Sequence, residues 1–215
     1  MAQRDVQHLR EDYQRAALSM AETHTDPIVQ FERWFEEARR AEVPEPNAMT
    51  VATASPDGVP SARIVLLKDY DADGFVFYTN YESQKGQELA ANPKAALVFV
   101  WLDLERQIRI EGDVERISAE QSTDYYHQRP KKSQIGAWAS DQSRVIDDRA
   151  VLEEKEAALR ARYAESERLP RPAHWGGYRV RPRRLEFWQG RSSRLHDRIN
   201  YRLEGEKWVR ERLAP

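Results

Sequence analysis

No cysteine occurs among the 215 residues, which excludes disulfides, thiolate metal sites and a cysteine nucleophile. There is no apolar run near the roughly 20 residues of a membrane-spanning helix, and mean hydropathy is −0.84. An excess of one charge is also missing. The 34 Lys+Arg face 36 Asp+Glu, for a formal net charge of −2, whereas a general nucleic-acid binder is usually strongly basic. Glycine is scarce, with nine residues, and none of them forms G-x-G-x-x-G or G-x-x-x-x-G-K-[ST], so two phosphate-cradling loops are excluded. A G-x-S-x-G elbow is absent. The five histidines, at 8, 24, 127, 174 and 196, are dispersed, and without H-E-x-x-H no metal site is expected. Met1–Arg15 is polar and has no apolar segment of signal-peptide type, so a cytoplasmic protein is expected.

What the chain does hold is enough to build a core: 40% hydrophobic and 10% aromatic residues. Residues 1–20 read as a loosely held helix, with Leu9, Tyr13, Ala16 and Ala17 at helical spacing. Asp26 then serves as an N-cap and Pro27 as the first helical residue, ahead of an apolar face of Ile28, Phe31, Trp34, Phe35 and Ala38. From residue 48 the pattern becomes that of strands with short turns. Strands are expected at 48–55, 62–70, 75–80, 95–104 and 107–117, then at 178–189, 198–203 and 207–213. Helices are expected from Ser83 to Asn92, from Ser118 (a capping box with Gln121) through Tyr125 and Arg129, and from Asp147 to about Glu165. Consecutive strands with short turns point to an α+β fold, an antiparallel sheet closed into a small barrel with helices around it, rather than a doubly wound parallel sheet. Two parts are expected: an N-terminal segment, 1–25, and a single domain, 26–215.

The chemistry left over is positive charge among hydroxyls and aromatics. In Arg63-Ile64-Val65-Leu66-Leu67-Lys68 two cations flank four apolar residues, as either a strand with solvated ends or an anion site. Ser83-Gln84-Lys85-Gly86 opens a helix, and a helix N-terminus with a nearby lysine is either a ready anion site or an ordinary cap. Tyr125-x-x-x-Arg129 sets two donors one helical turn apart, with Ser133 another turn along unless Pro130 breaks the helix. Arg194, His196 and Arg198, spaced by two, point the same way in an extended chain. Three such groups repel one another unless an anion or an electron-rich ring lies between them.

These residues resemble the pyridoxamine 5′-phosphate oxidase family. The resemblance runs in order through R-I-V-L-L-K (63–68), F-Y-T-N (77–80), S-Q-K-G (83–86), L-E-R-Q (104–107), Y-x-x-x-R-P (125–130), S-Q-I-G-A-W (133–138), Q-S (142–143), F-W-Q-G (187–190), R-L-H-D-R (194–198) and R-L-A-P (212–215). It implies an FMN-binding split β-barrel, α+β and homodimeric, with active sites at the subunit interface. The implied reaction oxidises pyridoxamine 5′-phosphate or pyridoxine 5′-phosphate to pyridoxal 5′-phosphate, with dioxygen as electron acceptor and hydrogen peroxide as product. No nucleic acid, membrane or metal is implied.

By position, the resemblance assigns FMN to Arg63, Lys68, Tyr78, Thr79, Gln84, Lys85, Gln107, Gln142, Ser143, Trp188 and Arg198. It assigns the substrate to Arg10, Tyr13, Lys68, Tyr125, Arg129, Ser133, Arg194 and His196, the last two catalytic at the pyridine ring, and it assigns the covering of the substrate to the N-terminal segment, 1–25. Position 84 departs from the family: Gln stands where Arg is frequent, which removes one possible cation from the FMN phosphate. Arg63 and Lys68 are five residues apart on one expected strand, so they fall on opposite faces unless a bulge intervenes. Arg63 is therefore expected to serve the FMN phosphate, and Lys68 the substrate phosphate and flavin edge. Two other readings remain open: another flavin- or haem-binding split-barrel oxidoreductase, and a non-catalytic pyridoxal-phosphate binder.

Overall fold

The computed structural model describes residues 12–215. Five α-helices accompany nine strands among them, and the pairings β1/β2, β3/β4, β4/β7, β7/β8 and β8/β9 are antiparallel. The strands are β1 (Ala48–Ala54), β2 (Pro60–Leu66), β3 (Asp69–Asp71), β4 (Gly74–Asn80), β5 (Lys94–Trp101), β6 (Arg106–Arg116), β7 (Trp175–Gln189), β8 (Asp197–Glu204) and β9 (Lys207–Arg212). The helices are α1 (Pro27–Arg40), α2 (Gln84–Ala91), α3 (Ala119–Gln128), α4 (Lys131–Ala139) and α5 (Ala150–Arg162). The fold is α+β with an antiparallel sheet, as the strand spacing predicts.

The chain divides into two compact units. One is built from the chain up to Pro46, Val98–Ile110 and Arg183–Pro215; the other from Asn47–Leu97 and Glu111–Pro182. In the first unit, Asp26 caps α1 by accepting from the Ile28 N–H at 2.7 Å. The apolar stripe of that helix is buried as its spacing predicts, with Phe31 5.3 Å from Phe99 and Trp34 5.2 Å from Phe187 between ring centres. Arg106 lies 4.3 Å over the Trp34 ring while its guanidinium donates to Glu37 at 2.5 Å, which fixes α1 from its polar side. Residues 12–20 are not helical. The Leu18 N–H donates instead to a side-chain acceptor, Asp197, at 3.0 Å.

In the second unit, β1 pairs with β2 from Ala48↔Leu66 to Ala54↔Pro60, and β4 pairs with β7 from Phe75↔Val180 to Asn80↔Trp175. Around Tyr126, Ile135, Leu169 and Trp175 a second apolar cluster seats α3 and α4. The expected strand 62–70 is interrupted. It ends at Leu66, and β3 starts at Asp69 after the Lys68 N–H has donated to Val76 O at 2.9 Å. Helix α4 was not anticipated. Pro130 ends α3, and its carbonyl then accepts from Ser133 N at 2.8 Å to begin the next helix.

Candidate active site

The second unit contains an open cavity of about 800 Å³. Eleven residues expected at the site line it: Arg63, Lys68, Tyr78, Thr79, Gln84, Lys85, Tyr125, Arg129, Ser133, Gln142 and Ser143. Lys68 faces it together with Arg63 although five residues separate them. The strand has ended at Leu66, so alternation no longer governs where Lys68 points.

One wall is made by β2, β4 and the start of α2. Ser83 caps α2 through its Oγ, which accepts from the Gly86 N–H at 3.3 Å. In the first turn of the helix, Lys85 is buried. Its ammonium donates to Gln142 Oε1 at 3.0 Å, Thr79 Oγ1 at 3.2 Å and Ser83 Oγ at 3.3 Å, all neutral oxygens. Burial, reinforced by the neighbouring Arg63 charge, pushes this ammonium down to about 8, and Glu88 acts in the opposite direction. Arg63 donates to Thr53 Oγ1 at 2.5 Å and Ser61 Oγ at 2.6 Å. Gln84 lines the cavity but donates its amide to Glu88 at 2.9 Å.

A second group of lining residues comes from α3, α4 and the start of β7, and Tyr78 of β4 stacks with it. Tyr78, Tyr125 and Trp175 stack in parallel, with 3.9 Å between the two tyrosine ring centres and 5.4 Å from Tyr78 to Trp175. Arg129 lies 4.6 Å over Trp175. The spacing predicts it one helical turn beyond Tyr125, but it forms the extended cap of α3, with ψ 145. Buried Arg129 Nη1 has no hydrogen-bond partner. A charged donor left bare in a cavity wall calls for an anion. Burial pushes Tyr78 up to about 12 and raises Tyr125 as well, so both phenols stay protonated donors.

The remaining expected residues belong to the first unit and do not line this cavity. Trp188 and Arg198 are cross-strand partners on β7 and β8. Both carboxylate oxygens of buried Glu186 accept from Arg198, at 2.8 and 3.0 Å, which raises the affinity of Arg198 for its proton. The His196 ring lies 4.5 Å from Trp188. Its Nδ1 accepts from the Arg191 N–H at 3.1 Å, so in the neutral ring Nε2 carries the proton and is the outward donor. Tyr13 packs its ring 5.9 Å from Trp188 and against Gly190, where a Cβ would meet Tyr13 at 2.7 Å. Gln107 lies on β6.

One expectation for this group fails. Arg194, His196 and Arg198 do not share the face of an extended strand. Ser192–Arg194 is a tight 3-10 turn with Ser193 and Arg194 at φ 54 and 61, and β8 begins only at Asp197. Arg10 lies outside the described residues. Ser61, Asn80, Ser140 and Trp175 line the cavity without having been singled out in the sequence. Only the F-Y-T-N motif, of which Asn80 is the last residue, offered a signal for any of them.

The site is an antiparallel α+β scaffold whose cavity brings together cations, hydroxyls and stacked aromatics. Residues 35–163 match the family described as pyridoxamine 5′-phosphate oxidase, and residues 175–215 match the pyridoxine 5′-phosphate oxidase C-terminal dimerisation region. The chain is 60% identical to a pyridoxine/pyridoxamine 5′-phosphate oxidase of Salinibacter ruber, over 96% of this chain and 97% of the relative. It is 56% identical to the protein of that name from Acaryochloris marina, over 99% and 97%. Among solved structures, PhzG from Burkholderia lata, in complex with tetrahydrophenazine-1-carboxylic acid, superposes with a TM-score of 0.87 at 32% identity, over 93% of this chain and 98% of that one. A pyridoxamine 5′-phosphate oxidase-related, FMN-binding protein from Nostoc punctiforme superposes at 0.67 with 17% identity, over 88% and 97%, and shares the split-barrel fold. The chain belongs to the pyridoxamine 5′-phosphate oxidase family, and it is an oxidoreductase.

Proposed function

We propose that the protein oxidises pyridoxamine 5′-phosphate and pyridoxine 5′-phosphate to pyridoxal 5′-phosphate in vitamin B6 metabolism, using FMN, with dioxygen as the final acceptor and hydrogen peroxide as product. The observation that carries this reading is one cavity with two differently held sets of cations. Arg63 and Lys85 are held by hydroxyls and an amide, whereas Arg129 is stacked on Trp175 with a bare donor. Two phosphorylated molecules need two such sets.

The residues fit FMN. Arg63 and Lys85 would hold its phosphate, with Thr79, Gln84, Gln142 and Ser143 beside them and Tyr78 and Lys68 toward the ring. Bound FMN supplies the acceptor for the hydride that leaves the substrate, a capacity no side chain has. Arg129, Tyr125, Ser133 and Lys68 hold the substrate phosphate, and this fixing of two planar molecules is chiefly a proximity effect. The phenols of Tyr78 and Tyr125, kept protonated by burial, donate without adding negative charge beside a phosphate.

The working form is a homodimer, in keeping with the match of residues 175–215 to a dimerisation region. Trp188, Arg194, His196 and Arg198 of a second copy complete the site, with Gln107 at the flavin ring and Arg10 and Tyr13 covering the substrate. There, His196 Nε2–H donates to the substrate's ring hydroxyl and Arg194 stabilises charge developing on the ring. The enzyme acts in the cytoplasm. Among the described residues no helix is long and apolar enough to cross a membrane.

The deciding experiment releases the cofactor from purified protein, takes its absorption spectrum and mass, and measures peroxide on adding pyridoxamine 5′-phosphate. Protein free of FMN that still binds pyridoxal 5′-phosphate would overturn the reading in favour of a non-catalytic carrier. Bound flavin without peroxide release would favour another split-barrel oxidoreductase.

A further inference from the structure

Glu88 stands on α2 with its side chain 9% exposed. A buried carboxylate is costly unless its lone pairs are taken up, and here each oxygen is engaged. Oε2 accepts from the Thr53 hydroxyl and, at 2.6 Å, from the Ser61 hydroxyl. Oε1 accepts from Gln84 Nε2 at 2.9 Å. Burial acts to raise this carboxyl, but the hydrogen bonds from Ser61, Thr53 and Gln84, together with the Arg63 charge, outweigh it and hold it below the usual range. Ionised Glu88 can only accept. The protons of Thr53 and Ser61 are therefore committed toward it, and each hydroxyl oxygen turns lone pairs elsewhere.

They turn to Arg63, whose Nη1 and Nη2 donate to Thr53 Oγ1 and Ser61 Oγ. The carboxylate pairs with Arg63 Nη2 by charge at 3.7 Å, without a direct hydrogen bond. A direct bidentate pair would occupy the guanidinium's fork. Two intervening hydroxyls instead fix its orientation and leave the remaining N–H groups for a ligand. We infer that Glu88 is a positioning residue for the phosphate site of the cofactor, acting on Arg63 through the Thr53 and Ser61 hydroxyls. This inference rests on the FMN reading above. The plain alternative is a buried polar cluster that only docks α2 onto β1 and β2.

A double-mutant cycle separates the two, because a residue that acts through another loses its effect when that other is gone. FMN affinity of the apoprotein is measured by flavin fluorescence for the wild type, Glu88→Gln, Arg63→Ala and the double variant. Riboflavin, which lacks the phosphate, is titrated in parallel. Glu88→Gln is expected to weaken FMN about tenfold in the wild-type background and by no more than about twofold beside Arg63→Ala, the size of one lost charge-assisted contact. Riboflavin affinity stays level. Equal weakening in both backgrounds, equal loss for riboflavin, or unchanged or tighter FMN binding would overturn the inference.

A readout without ligand is the Arg63 Nη–H NMR signals, resolved in the wild type when the guanidinium is held and merged in Glu88→Gln when it rotates freely. Should the wild type bind no FMN, the flavin reading falls while these signals still decide the role of Glu88. Should Glu88→Gln fail to fold, Thr53→Val and Ser61→Ala each remove one relay and are expected to show the same dependence on Arg63.

Discussion

At Lys85, burial and the Arg63 charge act in the same direction, and Glu88 opposes them. Desolvation and the Arg63 charge lower the ammonium to about 8, far below a free lysine. Between that value and the ordinary lysine range the unfolded chain binds more protons than the folded one, so the ligand-free protein gains stability as pH rises through this window. Phosphate binding has the opposite sign, because it needs the proton that folding has loosened. FMN phosphate is fully dianionic above about pH 7, so Lys85 sets the trend. FMN affinity is expected to fall above pH 8, by roughly tenfold per unit at the steepest for one linked proton. Lys85→Arg is expected to flatten the profile, since a guanidinium stays charged. Fluorescence titrations from pH 7 to 9.5 check this, and an unchanged slope in Lys85→Arg would sink it. On the other wall, Arg129→Ala is expected to raise KM for pyridoxine 5′-phosphate roughly 10- to 150-fold with FMN content unchanged. Steady-state kinetics beside an absorption ratio test it, and loss of yellow colour at constant KM would reverse the assignment.

At the scale of elements, the site depends on how closely α2 approaches the turn after β4. A Cβ on Gly86 would lie 2.1 Å from the Tyr81 carbonyl oxygen, a backbone atom that cannot swing aside. Gly86→Ala is expected to destabilise by about 1–3 kcal/mol and to release FMN, because Gln84 and Lys85 ride on the same turn. Urea melts and flavin retention measure both, and a variant with wild-type melting and full flavin would refute it. Caps and turns with a local cause were legible in the sequence: Asp26-Pro27, Ser83, Ser118 and Glu204-Gly205 mark element boundaries within a residue or two of where they fall. Three features were not legible. Helix α4 hides behind Pro130, which both stops one helix and starts the next. Lys68 escapes strand alternation because β2 ends two residues earlier. The turn at Ser193 and Arg194 needs positive φ at two residues other than glycine, a tertiary demand that local sequence does not display. Glu88 looks like any solvated helix charge until Thr53 and Ser61 are placed beside it.

For the whole molecule, the two groups of expected residues separate cleanly. The set expected at the phosphates lines a cavity in one unit, and the set around Trp188, His196 and Tyr13 belongs to the other. The spacing in the sequence could not reveal this division, because β5, β6 and β7 each contribute residues to both units. With residues 175–215 matching a dimerisation region, light scattering is expected to give twice the chain mass of 25.1 kDa. An active, flavin-loaded monomer would contradict a site completed by a second copy. A sharper check mixes two impaired variants, Arg129→Ala and His196→Ala, at a substrate concentration too low for either to turn over. Exchange of subunits is expected to restore activity in the mixed dimer, and no recovery after exchange would place both residues in one copy's site.

Of the six tryptophans, Trp175 lines the cavity, stacked in parallel with Tyr78 and carrying Arg129 on its face. Indole emission overlaps the near-ultraviolet absorption of oxidised flavin, so an isoalloxazine entering this cavity becomes an energy acceptor at short range. The chain thus contains its own optical gauge of occupancy. Ultraviolet-excited emission should dim as FMN binds, and Trp175→Phe should remove a share of that dimming.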